Sequence, residues 1–328
     1  MKLLKLVPDN TNIGFLQWRL PFYIVSLLLI SGSWALVLTN GLNLGVDFVG
    51  GQMIRVTFVG QPEVPVAKMR KEISALGYGD PIIQSYGGSN QAAIRVKLPA
   101  GSEQKPDLAN TMTSKIVDTL KADHPKIRID GIDSVSGKVS SELFSKGLMA
   151  LGFAMVAISI YIWIRFEWQF GVGALFALFH DTSLTLGFFA LTQLEFDLNI
   201  VAAILTIIGY SLNDTIVVYD RIRENLKKYR KMPLPELLDL SVNETLARTV
   251  MTSLTLLIAL IPLLIFGPAS LFGLAAAITL GIFIGTYSSI YMAAPILIWM
   301  GVKSDSFVPT ETREDRQERL AREGGARP

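Results

Sequence analysis

The sequence contains no cysteine. That excludes disulfides, thiol catalysis and zinc–thiolate sites, and it leaves the redox compartment undecided. Histidine is nearly as scarce. His124 and His180 fall in different regions, which excludes a histidine-based metal cluster. Charge is thin as well: 18% of the 328 residues are charged and the net charge is +2, so nothing favours nucleic acid electrostatically. A soluble domain would be about 25% charged. Apolar residues take the place of charge, at 50% of the chain.

These residues are gathered into six runs, at 20–40, 145–164, 171–192, 198–219, 249–266 and 271–299. Each has about the length a helix needs to cross ~30 Å of hydrocarbon. Pro262 predicts a kink in the fifth span and Pro295 a bend in the sixth. The first apolar core, Phe22 to Leu38, exceeds a signal-peptide h-region of about 7–15 residues, and no A-x-A site follows. It reads as a retained anchor.

Basic residues fix the expected orientation. Lys2, Lys5 and Arg19 precede span one, and Arg221, Arg223, Lys227, Lys228, Arg230, Lys231 and Arg248 follow span four. Lys303, Arg313, Arg316, Arg319, Arg322 and Arg327 lie in the tail. The opposite short loops, "QLEFD" (193–197) and "GPAS" (267–270), have none. The expectation is therefore a cytoplasmic N-terminus (1–19), a cytoplasmic loop (220–248) and a cytoplasmic tail (301–328). The tail is mixed in charge and Gly-rich at its end, which reads as frayed helix or disorder.

A polar segment, 43–143, separates spans one and two and is expected outside. "QMIRVTFV" (52–59) and "KIRIDGIDSV" (126–135) alternate as strands. "PIIQSY" (81–86) and "QAAIRVKL" (91–98) flank the hairpin signal "GGSN". Met69, Ile73 and Leu76 mark a helix over 64–76 with Pro65 in its first turn. Leu108, Met112, Ile116 and Leu120 mark another over 105–122. The order βαββαβ predicts a ferredoxin-like α+β domain. His124, before Pro125, is expected in a surface turn.

Charges inside apolar runs are the candidate functional residues, because a carboxylate in hydrocarbon must be protonated, paired or wet. Asp214 lies about a turn and a half inside the inner end of span four, on a face with Tyr210 and Ser211. Arg248, at comparable depth in span five, is the obvious cation. One reading is a relay: protonated Asp214 releases Arg248, ionised Asp214 recaptures it, and helices shift between two packings. The other is a static ion pair. Asn213 and Thr215 line the same wet path or bond to a neighbouring helix. Asp181, beside His180 in span three, is either a second relay station or a buried polar clamp.

Span six carries small residues at every fourth position: Gly273, Ala277, Gly281, Gly285, Ser289 and Ala293. This is a helix-packing ridge, within the chain or against a partner. Gly45, Asp47, Gly50 and Gly51 do not make a phosphate loop, since no helix with G-K-S/T follows. The glycines let the chain turn from membrane into sheet, with Asp47 expected to cap that turn.

Four stretches carry a family resemblance: "NLGVDFVGG" (43–51), "FHDTSLTLG" (179–187), "GYSLNDTIVVYDRIREN" (209–225) and "NETLARTVMTSLT" (243–255). Together they resemble the SecF family of the bacterial protein-export machinery, within the resistance-nodulation-division superfamily. The chain departs from that family at 134–143, where "SVSGKVSSEL" replaces a Val-Gly-Pro element. The resemblance implies a polytopic α-helical inner-membrane protein of six transmembrane helices, one half of a pseudo-symmetric unit, with the 43–143 domain periplasmic. It implies pairing with SecD, assistance to the SecYEG channel and the SecA motor, YajC and YidC as associates, and use of the proton gradient on a translocating preprotein. No cofactor and no enzymatic activity are implied.

Three rivals are weighed. An efflux pump of the same superfamily has both halves in one chain and larger external domains. An intramembrane aspartyl protease needs a G-x-G-D motif, where this chain reads "GYSLND", and Asp220 sits at the interface. A passive scaffold, with the external domain holding partners together and no proton movement, stays open on the sequence alone, and the membrane carboxylates argue against it, since a scaffold has no reason to bear their cost.

Overall fold

The computed structural model describes residues 7–8, 11–79, 81–85, 88–97, 106–135 and 137–302. Lys2, Lys5, Gly87 and the tail from Lys303 onward lie outside the described residues, as does the Leu108 side chain. Among the described residues, six helices are long and apolar enough to cross a membrane. They are α1 (Arg19–Thr39), α5 (Gly137–Arg165), α6 (Trp168–Thr192), α7 (Leu198–Lys228), α8 (Leu234–Phe266) and α9 (Ala269–Ser288). The last is continued by a π-helical turn, Ser289–Ala293, and α10 (Ala294–Trp299). Between α1 and α5 come α2 (Val46–Val49), β1 (Gly51–Phe58), α3 (Val66–Ala75), β2 (Ile82–Ser85), β3 (Gln91–Val96), α4 (Pro106–Asp123) and β4 (Ile127–Val135).

The sheet order is β2-β3-β1-β4 with every neighbouring pair antiparallel, the arrangement of a split βαβ fold. Strand alternation puts Ile54, Val56, Phe58 and Ile94 on one face, under Met69 and Ile73 of α3 and Met112, Ile116 and Leu120 of α4. Arg95 points from β3 to the other side, toward the loop that joins α6 to α7.

His124 is not a surface turn residue. It is 7% exposed, its Nε2 lies 3.2 Å from Glu72 Oε2, and its ring stands edge-on to Phe58. A carboxylate on α3, 52 positions earlier, gives the imidazole a buried partner that its local sequence did not reveal.

The stretch 220–248 is mostly helix rather than loop. α7 runs to Lys228 and α8 starts at Leu234, leaving only 229–233 as the connection. Arg221 pairs with Glu224 on its own helix and with Glu244 across the hairpin, and Asn225 Nδ2 donates to Glu244 and Ser241. Hydropathy marks where lipid ends; paired charges carry these helices on into water. At 134–143, β4 ends at Val135 and α5 begins at Gly137. Pro262 lies inside α8, which continues through it. The π-helical turn falls directly before Pro295, whose ring and missing N–H disfavour a regular helix there.

α6 and α7 form the inside of the bundle, while α1, α5 and α8 are largely exposed. The small residues of α9 face α7. A Cβ on Gly281 would come within 2.4 Å of Ile207 Cγ1, on Gly285 within 3.1 Å of Ser211 Cβ, and on Gly273 within 3.4 Å of Ile200 Cδ1. Absence of side chains thus lets the two helices close on each other within the chain. Ala277 is fully buried in the same contact region. One stripe of α7 remains exposed: Ala202, Thr206, Gly209 and Asn213.

A strap precedes α1. Asn243 of α8 takes both polar groups of Ile13: Ile13 N–H donates to Asn243 Oδ1 (3.0 Å) and Asn243 Nδ2 donates to Ile13 O (2.9 Å). Leu16 N–H donates to Asp239 Oδ1 (2.9 Å). Phe15 and Leu16 are buried.

Candidate functional site

α6 and α7 each bring one aspartate into the bundle. Asp181, on α6, is fully buried. Its Oδ1 lies 2.9 Å from His180 Nδ1. Its Oδ2 accepts from Ser211 Oγ of α7 at 2.5 Å, with the Ser288 hydroxyl of α9 at 2.9 Å. One carboxylate therefore joins three helices. His180 is equally buried, and its Nε2 has no hydrogen-bond partner. The Tyr287 ring lies 5.6 Å from the imidazole, and Tyr287 reaches Ser26 and the Phe22 carbonyl of α1 through its hydroxyl.

Asp214 sits one turn further along α7. It is 2% exposed, Oδ2 is buried without a hydrogen-bond partner, and the carboxylate forms no hydrogen bond among the described residues. Arg248 is the cation whose charge acts on it, from beyond ion-pairing distance. Arg248 itself is exposed. A buried carboxylate oxygen without a partner is costly when ionised, and no ion pair offsets that cost among the described residues.

The flanking residues point in different directions. Tyr210 faces α8, its hydroxyl 2.6 Å from Ser253 Oγ, which is 2.9 Å from Thr286 Oγ1 of α9. Ser211 faces Asp181, as above. Thr215 meets Ser289 of the π-helical turn at 3.0 Å, and Tyr219 OH donates to Ala293 O at 3.0 Å. Asn213 is exposed. At the helix end Asp220 pairs with Arg165 of α5 at 3.0 Å.

The residues 43–51 lie elsewhere, at the junction of sheet and bundle. Asp47 does not cap its own turn; its Oδ2 accepts the Leu198 N–H at the start of α7 (3.0 Å). Gly50 and Gly51 adopt φ of 72° and 129°, and a Cβ on Gly51 would lie 2.7 Å from Val96 O. Only glycine fits that close, left-handed entry into β1. Burial pushes the Glu195 and Asp197 carboxyls in the α6–α7 loop above the usual range. Arg95 pulls Glu195 back, and hydrogen bonds from Asn199 and Ile200 pull back Asp197.

Comparison with known proteins gives these residues a context. The description "Protein export membrane protein SecD/SecF, C-terminal" matches residues 115–303, and "SecD/SecF GG Motif" matches 35–61. The chain is 43% identical to the protein translocase subunit SecF of Rhodobacter capsulatus, covering 91% of this chain and 92% of that one. Against the SecF of Cereibacter sphaeroides identity is also 43%, over 94% and 97%.

The chain belongs to the SecF family.

The crystal structure of SecDF, a translocon-associated membrane protein from Thermus thermophilus, superposes with a TM-score of 0.79 at 33% identity. It covers 90% of this chain, which spans 39% of the solved one. A SecDF structure in a super-membrane-facing form gives 0.64 at 32%, covering 97% and 40%. Within the SecF frame, both aspartates fall in the C-terminal match and Asn43 to Gly51 in the GG-motif match.

Sequence reasoning passed over Ser288, Tyr287, Asn43, Arg95 and Glu195. Ser288 had a signal, being one of few polar residues in span six. The Arg95–Glu195 contact bridges 100 positions and had none.

Proposed function

We propose that this chain is a non-enzymatic accessory subunit of the Sec preprotein translocase that, with SecD, uses the proton motive force to promote protein export. The observation that carries this reading is Asp214, a buried carboxylate with an unpartnered oxygen and an exposed arginine acting on it from a distance. Such a group gains from either a proton or the approach of Arg248, and the two exclude each other. Proton arrival leaves Arg248 free; proton loss draws it in. Because Asp214 is on α7 and Arg248 on α8, the alternation shifts one helix against the other. Each charge crossing the field supplies about 2.3 kcal/mol per 100 mV. Asn213, Thr215 and Tyr210 flank the path, and Asp181 with His180 is the second polar station.

Pairing with SecD fits the exposed stripe Ala202, Thr206, Gly209 and Asn213 on α7. Small and polar residues there suit a protein neighbour better than lipid. The solved SecDF chain is also longer than its match to this one. Basic residues cluster at the α7–α8 end, and the loops 193–197 and 267–270 have none. We therefore assign both termini to the cytoplasm and residues 43–143 to the periplasm, in the bacterial inner membrane. SecYEG, SecA, YajC, YidC, the translocating preprotein and membrane lipid are the partners of this reading; nucleic acid and cofactors have no part in it.

The test is precursor accumulation in cells depleted of this protein, rescued by the wild type or Asp214→Asn at equal membrane levels. Clearance by the wild type alone supports export and a titrating Asp214. Clearance by both retains the export role and removes the relay.

A further inference from the structure

The segment 43–51 touches neither aspartate, yet it is the most densely bonded part of the junction between sheet and bundle. Phe196 N–H donates to Asn43 O (2.7 Å), and Gly45 N–H donates to Phe196 O (2.8 Å), a two-bond bridge between the segment and the α6–α7 loop. Asn43 Nδ2 donates to Gln193 O (2.9 Å) and to Gln84 Oε1 of β2 (2.8 Å). Arg95 of β3, 9% exposed, forks between the two sides. Nη1 donates to Asn43 Oδ1 (3.4 Å) and Nη2 to Glu195 Oε1 (3.1 Å), leaving Nε unbonded. Asp47 accepts from Leu198 N–H, one of the free donors of the first turn of α7. Gly45 makes room for this: a Cβ there would lie 3.0 Å from Glu195 Oε1 and 3.1 Å from Asp197 Cβ.

We propose that Asn43, Asp47 and Arg95 are positioning residues that fix the external sheet to the first turn of α7, so that the domain and that helix end move as one body. The inference rests on the reading that α7 shifts when Asp214 changes charge. A hinge needs a few residues free to change torsion. In the connection 193–197, Gln193, Phe196 and Asp197 each hold backbone or side-chain bonds and Glu195 holds Arg95. Bonds run from this loop and the first turn of α7 to the segment 43–51 and β3, so rotating α7 against the sheet would have to break them. A tilt that starts at Asp214 therefore reaches the domain undiminished. The chemistry of the joint is a forked guanidinium, which a lysine cannot reproduce.

The experiment uses the full chain with its SecD partner in inverted membrane vesicles, with translocation of a precursor measured with and without a proton gradient. Arg95→Gln should lose the gradient-dependent part of the rate, at unchanged membrane level and unchanged gradient-independent rate; a merely structural lesion would lower both rates. Arg95→Lys should lose most of it. Retention of the full gradient response by Arg95→Gln would overturn the proposal.

A second arm does not depend on how Arg95→Gln folds. The chain has no cysteine of its own, so Leu44→Cys with Phe196→Cys supplies the only pair, at facing positions of the β-bridge between the segment and the loop. Oxidised and reduced forms should translocate equally, because the joint stays closed. A gradient response present when reduced and absent when oxidised would mean that the joint opens, and the proposal fails. Asp214→Asn is run alongside. If it keeps its gradient response, the relay reading fails; if it loses the response while Arg95→Gln keeps it, the joint alone fails.

Discussion

Asp181 and Asp214 lie on adjacent helices, both almost wholly buried, and their surroundings are opposite. Asp181 has each oxygen engaged, by an imidazole on its own helix and by hydroxyls from two others. Asp214 makes no hydrogen bond among the described residues, and its Oδ2 is buried without a partner. Burial alone therefore does not identify a working carboxylate. A fully bonded one gains little from moving and stabilises one packing of α6, α7 and α9. An unbonded one is poised to change with its proton or its cation. On the proposed reading, the contrast suits Asp181 as a clamp and keeps the relay centred on Asp214.

The largest effect that would sharpen this contrast is functional. Asp214→Asn should reduce gradient-driven export to that of cells lacking the protein, with normal accumulation, while Asp181→Asn keeps a substantial part of it. Precursor clearance at matched membrane levels measures both. Complete loss in Asp181→Asn at normal levels would erase the distinction and make both carboxylates part of the relay. Next is stability. Asp181→Ala strands the Ser211 hydroxyl and His180 and should cost about 3 kcal/mol, read as a lowered Tm in detergent. Asp214→Ala, which removes an unpartnered group, should cost little or raise Tm.

The clamp also depends on α9 lying close to α7. A side chain on the glycine ridge should push Ser288 away from Asp181. Gly281→Val should destabilise by about 1–3 kcal/mol, and alanine substitutions should rank Gly281 over Gly285 over Gly273, following their clearances of 2.4, 3.1 and 3.4 Å. Thermal unfolding of the three variants gives the order. A reversed order would show that the ridge does not set the α7–α9 distance.

The smallest effect concerns a third carboxylate group, Glu195 and Asp197 at the N-terminal end of α7. Both are raised by burial, so their contribution to stability is fully present below the ordinary carboxylate range and is lost as pH rises through their raised values. Tm in detergent should fall slightly over that window, and Glu195→Gln with Asp197→Asn should flatten the slope. An unchanged slope in the double variant would place the titrating groups elsewhere.

Much of this was legible in the sequence. Span length and strand alternation are local signals, and they located the six helices and the order βαββαβ. Asp181 and Asp214 stood out because a charge in an apolar run is conspicuous. What they touch was not legible. Ser288 bonds Asp181 across 107 positions and Arg95 bonds Glu195 across 100, and no local pattern encodes such pairs. His124 was misread for that reason, since Glu72 and not its own turn decides its burial. The helical extent of 220–248 was only partly legible for another reason: hydropathy reports solvent, and helices continue through water where their charges pair.

The strap before α1 has a bearing on how the molecule is made. Ile13 is held by a side chain 230 residues later in the chain. During synthesis α1 is complete long before Asn243 exists, so its N-terminal end lacks this seat while the spans α5, α6 and α7 emerge. Its placement is completed only when α8 arrives. The strap is thus secured later than α1 itself, whose Trp34 bonds Ser183 of α6, and a ribosome stalled before α8 leaves Ile13 and Leu16 without their seats.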